Sequence, residues 1–422
     1  MILDITNEDN LNLIEEYIDI IIKTGVNLQL NQPVVLKGPL ETADFMRLIA
    51  KRCYQLGSGY VMVEYIDSLL DKEKFKYASN DVISYFPKWK ADGLEELCKN
   101  NACFIRISGE DPDIFEDIPT DILALYNKTN SKGKKNINKY IINSELSWVV
   151  AAAPTKSWAK KVFPDLSEFD AVNKLWANIL YASRISAKNS FESWKNHNEL
   201  LSSKSEFLNK MQFAKLQYKS AKTESTIGTD LIIELPKNHI WSGGSELNKS
   251  GIVFNPNIPT EEVFTAPYKY GINGFVSSTL PFNFNGNLIE DFELFFENGK
   301  IVKINAKKGY DILKSLLSTD EGASYIGEVA LVPYDSPISN LNTIFYNTLF
   351  DENASCHLAF GSAYPTCVKD GENMSDNELE EIGLNTSLIH YDFMIGSKEL
   401  EIIGFTESGD SMSIFKNGKW AF

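Results

Sequence analysis

An alternation of strand, helix and strand near the start of the chain is the feature that most constrains its fold. Pro33 to Lys37 and Gly59 to Ile66 are two short apolar runs. Between them, Glu41 to Leu56 carries apolar residues at helical spacing, and Gly57 is placed to end that helix. Because the connections are short, the two strands are predicted to pair in parallel. The first part of the chain is therefore predicted to be an α/β domain with a mostly parallel open sheet.

The second half of the chain has a strand-like pattern with hairpin signals. The Asn298-Gly299 pair separates two alternating runs, which is a strong signal for a β-hairpin. Glu399 to Phe405 and Ser411 to Phe415 predict a final antiparallel meander. We therefore expect a boundary near residue 222, with the α/β domain at residues 1–222 and an α+β, β-rich domain at residues 223–422.

Charge and composition exclude several classes of partner. The chain has 41 Lys and Arg against 57 Asp and Glu, a net charge of −16, which disfavours binding to nucleic acid or to anionic membranes. The N-terminal residues lack the pattern of a signal peptide, and no apolar run approaches the ~18 residues of a membrane span. The five cysteines are too sparse to indicate a disulfide framework. We expect a cytoplasmic protein.

Two predicted strands in the second half of the chain contain candidate metal ligands. Strand alternation from Ile389 to Ile395 places His390 and Asp392 on one face, with Cα atoms ~6.5–7 Å apart, close enough to bind one divalent ion. A hydrogen-bonded structural pair is the alternative. Glu328 is the lone charge in the apolar run Tyr325 to Val332, so burial would require a partner or a metal. An edge strand with Glu328 facing water is the alternative.

Two further segments complete a possible ligand inventory. Three prolines between Asn255 and Pro267 stiffen a loop that holds Glu261 and Glu262, although acidic loops are also common on solvated surfaces. His357 lies seven residues before Tyr364, and a histidine among apolar residues is usually part of a core. Taken together, two histidines and three carboxylates suit a dinuclear site with one bridging carboxylate. Mixed oxygen and imidazole ligands favour Zn²⁺, Co²⁺ or Mn²⁺.

Several motifs, in one order along nearly the whole chain, resemble the aminopeptidase T/aminopeptidase S family of dinuclear metalloaminopeptidases, the thermophilic aminopeptidase family. Four of the motifs lie in the second half: PTEEVFTAP at Pro259–Pro267, IGEVALVP at Ile326–Pro333, HLAFGSAYP at His357–Pro365 and IHYDFMIGS at Ile389–Ser397. Others lie earlier: ISGEDPD at Ile107–Asp113, AAPTKSWAKKVFP at Ala152–Pro164 and GTDLIIELPKNHIWSGG at Gly228–Gly244.

The resemblance implies a site and an activity. It implies five metal ligands and a catalytic tyrosine, Tyr364; the ligands are Glu262, Glu328, His357, His390 and Asp392. It implies that two divalent ions, Zn²⁺, Co²⁺ or Mn²⁺ and also Mg²⁺, activate a water that hydrolyses the N-terminal peptide bond of peptides with a free N-terminus. Glu328 would bridge the ions. The resemblance also implies a homodimer whose α/β domain helps to enclose the active site.

Other interpretations of the sequence remain open at this point. The chain could be a non-catalytic peptide-binding relic of the same fold, or a metal-dependent dipeptidase or amidase. Glu261 could be a general base, or it could lie behind the ligands or at the surface. His239 could line the substrate region or cap a turn. His197, in a charged helical segment, is expected to face solvent.

Overall fold

The computed structural model describes residues 8–422 apart from 187–188, 223–225 and 285–286. The first residues of the chain, on which the expectation about a signal peptide rests, lie outside the described residues. So does residue 223, the first residue of the predicted second domain.

Helices are concentrated in the first half of the chain. The α-helices are α1 Glu8–Ile20, α2 Ala43–Gln55, α3 Ser68–Tyr77, α4 Asn80–Ile83, α5 Lys88–Lys99, α6 Thr120–Gly133, α7 Lys135–Ile142, α8 Lys156–Val162, α9 Glu168–Ala182, α10 Ser190–Met211, α11 Tyr310–Leu317, α12 Thr348–Asp351 and α13 Asp376–Glu381. Among the described residues, no helix combines the length and apolar character that crossing a membrane requires.

Strands are concentrated in the second half. They are β1 Pro33–Pro39, β2 Tyr60–Ile66, β3 Cys103–Ser108, β4 Trp148–Ala152, β5 Lys215–Ser220, β6 Thr229–Glu234, β7 Ser242–Gly243, β8 Glu246–Leu247, β9 Val253–Phe254, β10 Val263–Thr265, β11 Ile272–Ser277, β12 Phe282–Phe284, β13 Asn287–Glu297, β14 Lys300–Lys308, β15 Ile326–Leu331, β16 His357–Gly361, β17 His390–Met394, β18 Glu401–Phe405, β19 Ser411–Lys416 and β20 Lys419–Trp420.

The described chain divides into two compact units that are interleaved in sequence. Among the described residues, the first unit comprises the chain from residue 8 to 199 with 244–260 and 345–349, and the second comprises 200–243, 261–344 and 350–422. The division into domains at residue 222 stays a prediction.

The first unit contains a four-stranded sheet in the order β2-β1-β3-β4, and every pair in it is parallel. The predicted strand, helix and strand are β1, α2 and β2. The helix buries Phe45, Met46, Ile49 and Cys53 on one face, as its apolar spacing indicates. The prediction of an α/β domain with a parallel open sheet is confirmed.

The second unit is rich in antiparallel strands, also as predicted. The hairpin β13–β14 turns at Asn298 and Gly299, which both have positive φ. It belongs to a large sheet in which β18, β19 and β20 form the predicted C-terminal meander. A separate five-stranded sheet has the order β17-β16-β15-β10-β7. One face of this sheet packs into the main core through residues such as Val329, Leu358 and Phe393, and its other face carries the candidate site.

Candidate metal centre

The register of the five-stranded sheet brings the predicted ligands of three strands onto one face. Glu328 of β15 lies opposite Ala359 of β16, which lies opposite Asp392 of β17. His390 pairs with Gly361, two residues further along the same face. Because side chains alternate between faces, His357 joins them from β16. Ala359 and Gly361 lie on β16, between β15 and β17. Because both residues are small, they leave room for the charged side chains on either side.

A β-bulge at Gly327 sets the position of Glu328. The register between β15 and β16 shifts between Ile326 and Glu328. A Cβ atom on Gly327 would lie 2.3 Å from the carbonyl oxygens of Gly361 and Ser362, so only glycine fits there. Bulges redirect side chains, and this one lies directly before the central carboxylate. All six residues of β15 are buried, and β15 lies between β16 and β10, so the edge-strand alternative for Glu328 is wrong.

Glu262 reaches the same face from the proline-rich loop. It immediately precedes β10, which pairs with β15 through Val263, Phe264 and Thr265. Glu262 shares the parity of Phe264, whose partner Ala330 lies on the site face of β15. The Glu262 side chain is 11% exposed, so the acidic part of this loop is not a solvated surface.

Glu328 lies at the centre of the cluster, and each of its oxygens approaches a different histidine. Its Oε1 lies 3.5 Å from Nε2 of His357, and its Oε2 lies 3.6 Å from Nε2 of His390. On one side, Nε2 of His357 also lies 3.1 Å from Oε2 of Glu262. On the other side, Nε2 of His390 lies 3.6 Å from Oδ1 of Asp392. The cluster therefore consists of two groups of three residues that share Glu328.

Backbone carbonyls orient both imidazole rings. Nδ1 of His357 lies 3.0 Å from the carbonyl oxygen of Ser355, and Nδ1 of His390 lies 2.7 Å from that of Ser362. A carbonyl oxygen can only accept, so each Nδ1 carries the proton and donates it. When the ring is neutral, Nε2, which faces the carboxylates, therefore keeps a lone pair that can bind a cation. Metal-binding histidines are held in the same way.

The electrostatics of the cluster are dominated by burial and by opposed charges. Burial alone would lower the pKa of His357, but Glu262 and Glu328 outweigh it and hold that pKa well above its usual value. Burial likewise opposes protonation of His390, yet Asp392 and Glu328 raise its pKa to about 9. Burial raises the pKa of Glu328. For Asp392, burial also acts upward, but His390 overcomes it and the pKa is lowered. The carboxylates thus stabilise a positive charge next to the Nε2 atoms of the two histidines.

The donor set fits two divalent cations. Among the described residues, the buried Nε2 of His357 and Oδ1 of Asp392 have no partner with hydrogen-bond geometry. In each group of three residues, the nitrogen and oxygen atoms that could bind an ion all lie within 4.8 Å of one another. Imidazole nitrogen together with carboxylate oxygen suits Zn²⁺, Co²⁺ or Mn²⁺. A cation in each group would neutralise carboxylates that otherwise repel one another.

Tyr364 lies beside this cluster. Its ring is 5.0 Å from the ring of His390 in an edge-to-face arrangement, and 5.9 Å from the ring of Phe264. The side chain follows β16 after Gly361, which has a φ of 94°. A Cβ atom on Gly361 would lie 2.1 Å from the carbonyl oxygen of Ile389, so glycine allows the close approach of these two segments. The structure thus brings together all six residues that the sequence singled out.

Sequence reasoning missed Glu352, a further buried acid near the cluster. Burial raises its pKa well above the usual value, and the charges of Asp392 and Glu262 add to that shift. Asn353 connects it to Glu261: the amide nitrogen of Asn353 donates to Glu352 at 3.3 Å, and its Oδ1 accepts from the backbone N–H of Glu261 at 2.7 Å. The run Asp351-Glu352-Asn353 has no periodicity that would have distinguished it from a surface turn.

Three other expectations can be compared with the structure. Glu261 is only 4% exposed, which rules out the surface alternative. His239 is buried, and its Nδ1 lies 3.0 Å from the carbonyl oxygen of Pro236, as the turn alternative would have it. The expectation that His197 faces solvent is wrong. It is 7% exposed, and its Nε2 lies 2.7 Å from the carbonyl oxygen of Thr260.

Comparisons with a family model and with curated proteins give matches along nearly the whole chain. The model described as thermophilic metalloprotease (M29) matches residues 10–420. Two curated relatives illustrate the range of identity. Aminopeptidase AmpS of Bacillus subtilis (strain 168) is 46% identical over 96% of this chain and 98% of its own length. Aminopeptidase T of Thermus aquaticus is 36% identical over 98% of both chains.

A solved structure agrees with the fold. Wild-type AmpT from Thermus thermophilus matches with a TM-score of 0.89 and 35% sequence identity. The match covers 98% of this chain and 100% of that chain. The parallel sheet with flanking helices, followed by a strand-rich antiparallel part, is therefore shared along the full length.

Proposed function

Because the chain belongs to the thermophilic metalloprotease (M29) family, we propose that it hydrolyses the N-terminal peptide bond of peptides at a centre that holds two divalent metal ions. Membership of the family makes the protein a metallopeptidase, and relatives that match it over nearly their full length are aminopeptidases. Peptides with a free N-terminus are the proposed substrates. The ions are Zn²⁺, Co²⁺ or Mn²⁺, with Mg²⁺ as a further candidate.

The position of Glu328 is the observation that carries the proposal. Its two carboxylate oxygens face the Nε2 atoms of two different histidines, as expected of a group that binds two ions at once. Glu262 and His357 would complete one ion site, and His390 and Asp392 the other. Each site would then combine imidazole nitrogen with carboxylate oxygen, and Glu328 would fix the distance between them.

The protein groups have separate tasks in this proposal. When bound, two divalent ions supply Lewis acidity that lowers the pKa of a water and polarises a carbonyl. His357 and His390 keep their rings fixed through the carbonyls of Ser355 and Ser362, so that little rearrangement is needed during turnover. Tyr364, next to His390, donates a hydrogen bond from its hydroxyl to the oxyanion that develops on the substrate.

Hydrolysis of aminoacyl-p-nitroanilides tests the proposal. We expect activity with Co²⁺ or Zn²⁺, its loss in EDTA, and its return when metal is added back. Measurement of metal content should give two ions per chain. N-acetylated substrates should not react, because the proposed activity requires a free α-amine. Hydrolysis that survives EDTA would contradict the metal mechanism, and rapid cleavage of N-acetylated substrates would instead indicate an amidase.

His390→Ala provides the matched variant. It removes one ligand of a single ion site, so activity should fall steeply while the protein remains folded. If this variant bound substrate as the wild type does but neither protein turned it over, the chain would be a non-catalytic peptide-binding protein.

The same proposal includes a homodimer that acts in the cytoplasm. The five cysteines are free and buried, which suits a reducing compartment. Light scattering coupled to size-exclusion chromatography would give the mass of the particle, and a value of one chain would contradict the dimer.

A further inference from the structure

The first unit has a cavity at the carboxyl edge of its parallel sheet. The sheet order β2-β1-β3-β4 means that the chain leaves β1 toward one side and later returns on its other side as β3. The crevice where the order reverses is the usual ligand position in open parallel sheets. Here a cavity of about 740 Å³ occupies that crevice, lined by Pro39 at the end of β1 and by Gly109 to Asp111 after β3. Its volume is that of a small-molecule site.

Hydrogen bonds fix the floor of this carboxyl-edge cavity. Thr155, after β4, donates from its hydroxyl to the carbonyl oxygen of Gly109 at 2.7 Å. A Cβ atom on Gly109 would lie 2.2 Å from the carbonyl oxygen of Ala153, so glycine permits the close approach of the two loops. Glu110 accepts from the guanidinium of Arg106 at 2.6 Å and from the N–H of Gly109 at 3.0 Å. The carboxylate is therefore positioned by the loop itself.

The charges around the cavity favour a cation and disfavour an anion. Four carboxylates line it against one ammonium group, that of Lys156. Arg106 pairs with Glu110, and Lys156 pairs with Glu168 at 2.6 Å. In the part of the chain that the structure describes, no ion pair involves the other two acids, Glu41 and Asp111. This negative excess would repel the phosphates that such crevices often hold.

The rest of the lining is apolar. Leu69 and Phe169 are 60% and 55% exposed, and both line the cavity. Ile114 and Val172 extend the same wall. The Asp111 carboxylate accepts a hydrogen bond from the backbone N–H of Asp113 at 3.0 Å, which leaves its charge unneutralised. An apolar wall beside carboxylates without an ion-pair partner is complementary to a molecule that carries a positive charge next to a hydrocarbon group.

We infer that the carboxyl-edge cavity is a second binding site, specific for apolar primary amines in their ammonium form. The ammonium group is held by Asp111 and Glu41, and the hydrocarbon group lies against Phe169 and Leu69. The site lies within the first unit and requires no metal ion, so the inference does not depend on the proposed peptidase activity.

Ligand-observed NMR titration of the full-length protein with its metal tests this inference, using isoamylamine as the probe because it contains no bond that a peptidase can cleave. We expect saturable binding, at least tenfold weaker binding of the neutral analogue isoamyl alcohol, and weak binding of methylamine. The double variant Glu41→Gln with Asp111→Asn should weaken isoamylamine binding at least tenfold. Phe169→Ala should weaken isoamylamine but leave methylamine unchanged.

Two control variants separate this cavity from other sites. Glu116→Gln removes an exposed acid of the same segment that does not line the cavity, and it should leave the affinity unchanged. His390→Ala should also bind isoamylamine as the wild type does. Unchanged affinity in the Glu41/Asp111 double variant, equal binding of the alcohol, binding that disappears with His390→Ala, or no saturable binding at all would each overturn the inference. Thermal melts of every variant exclude misfolding as the cause of a loss.

Discussion

His197 in the first unit and His357 in the second are both buried, yet their surroundings act on the imidazole in opposite directions. Burial and, to a smaller extent, the charge of Arg184 lower the pKa of His197 to about 3, although the carbonyl of Thr260 acts in the opposite direction. His357 is buried even more completely, but Glu262 and Glu328 raise its pKa well above the usual value.

The difference distinguishes a structural histidine from a functional one. A neutral imidazole with one carbonyl partner satisfies the ordinary rule for a buried polar group. A cluster that confines three carboxylates and two histidines on one buried face is costly by itself, and a bound cation would supply the missing charge. Burial of histidine alone is therefore no indicator of a metal site, whereas crowding of carboxylates around Nε2 is.

The largest expected effect is that of Glu328→Gln, which removes the charge shared by both groups of three residues. Activity should fall at least about a thousandfold, and metal content should fall from two ions per chain to one or none, because both sites lose a ligand. In EDTA, the melting temperature of the variant should equal or exceed that of the wild type, since the substitution relieves carboxylate repulsion. Steady-state kinetics, metal analysis and thermal melts check these outcomes.

Glu401→Gln is the matched control, because Glu401 is an exposed glutamate on β18, which belongs to the large sheet and not to the five-stranded sheet that carries the site. It should leave activity and metal content unchanged. If Glu328→Gln kept two ions and full turnover, Glu328 would not be needed for metal binding or catalysis. The proposed difference between the structural His197 and the functional His357 would then be contradicted.

Tyr364→Phe comes next in size. Loss of the hydroxyl should lower kcat about a hundredfold and leave KM and metal content nearly unchanged, because the proposed hydrogen bond forms only as the oxyanion develops. Tyr391→Phe makes the same chemical change between two ligands on β17. That side chain points to the opposite face, toward Phe282 and Phe284, and kcat should not change. Equal effects of the two variants would rule out the role assigned to Tyr364.

How far the sequence predicted these regions depended on the range of the contacts. Alternation along one strand placed His390 and Asp392 on the same face, and an isolated charge in an apolar run singled out Glu328. The resemblance to a known family then implied that Glu262 is the candidate ligand of the Glu261-Glu262 pair. The register that aligns Glu328, Ala359 and Asp392 was not predictable, because it depends on pairing between strands distant in sequence. His197 was wrongly predicted to face solvent for the same reason. Its partner Thr260 is 63 residues away, and the polar pattern of a helix does not indicate such a distant contact.

The pH dependence of the free energy of unfolding tests whether His197, in the first unit, is neutral in the folded protein. The pKa of His197 is about 3 when folded, below the value of about 6.5 in an unfolded chain. Between these values the unfolded state binds more protons, so the contribution of neutral His197 is fully present above about pH 6.5. It is lost as the pH falls, by up to about 1.4 kcal/mol per pH unit. Urea unfolding from pH 8 to pH 4 measures this loss.

His197→Gln provides the comparison for that measurement, since its amide can still donate to the carbonyl of Thr260 but does not titrate. The free energy of unfolding of the variant should fall less steeply below pH 6.5 than that of the wild type. Parallel curves would mean that the imidazole is protonated in the folded state, and the contrast with His357 would disappear.

The smallest effect is expected from Gly93→Ala, at an exposed position of the first unit. Gly93 lies within α5, and a Cβ atom there would meet nothing within 4 Å. Alanine should raise the free energy of unfolding by about 0.5–1 kcal/mol, because glycine loses more backbone freedom on folding.

Gly327→Ala should have the opposite effect on the free energy of unfolding. Its Cβ would collide with two carbonyl oxygens, so the variant should lose both stability and metal. Chemical unfolding of both variants gives the two signs, and a tolerated alanine at residue 327 would mean that the bulge does not hold Glu328 in place.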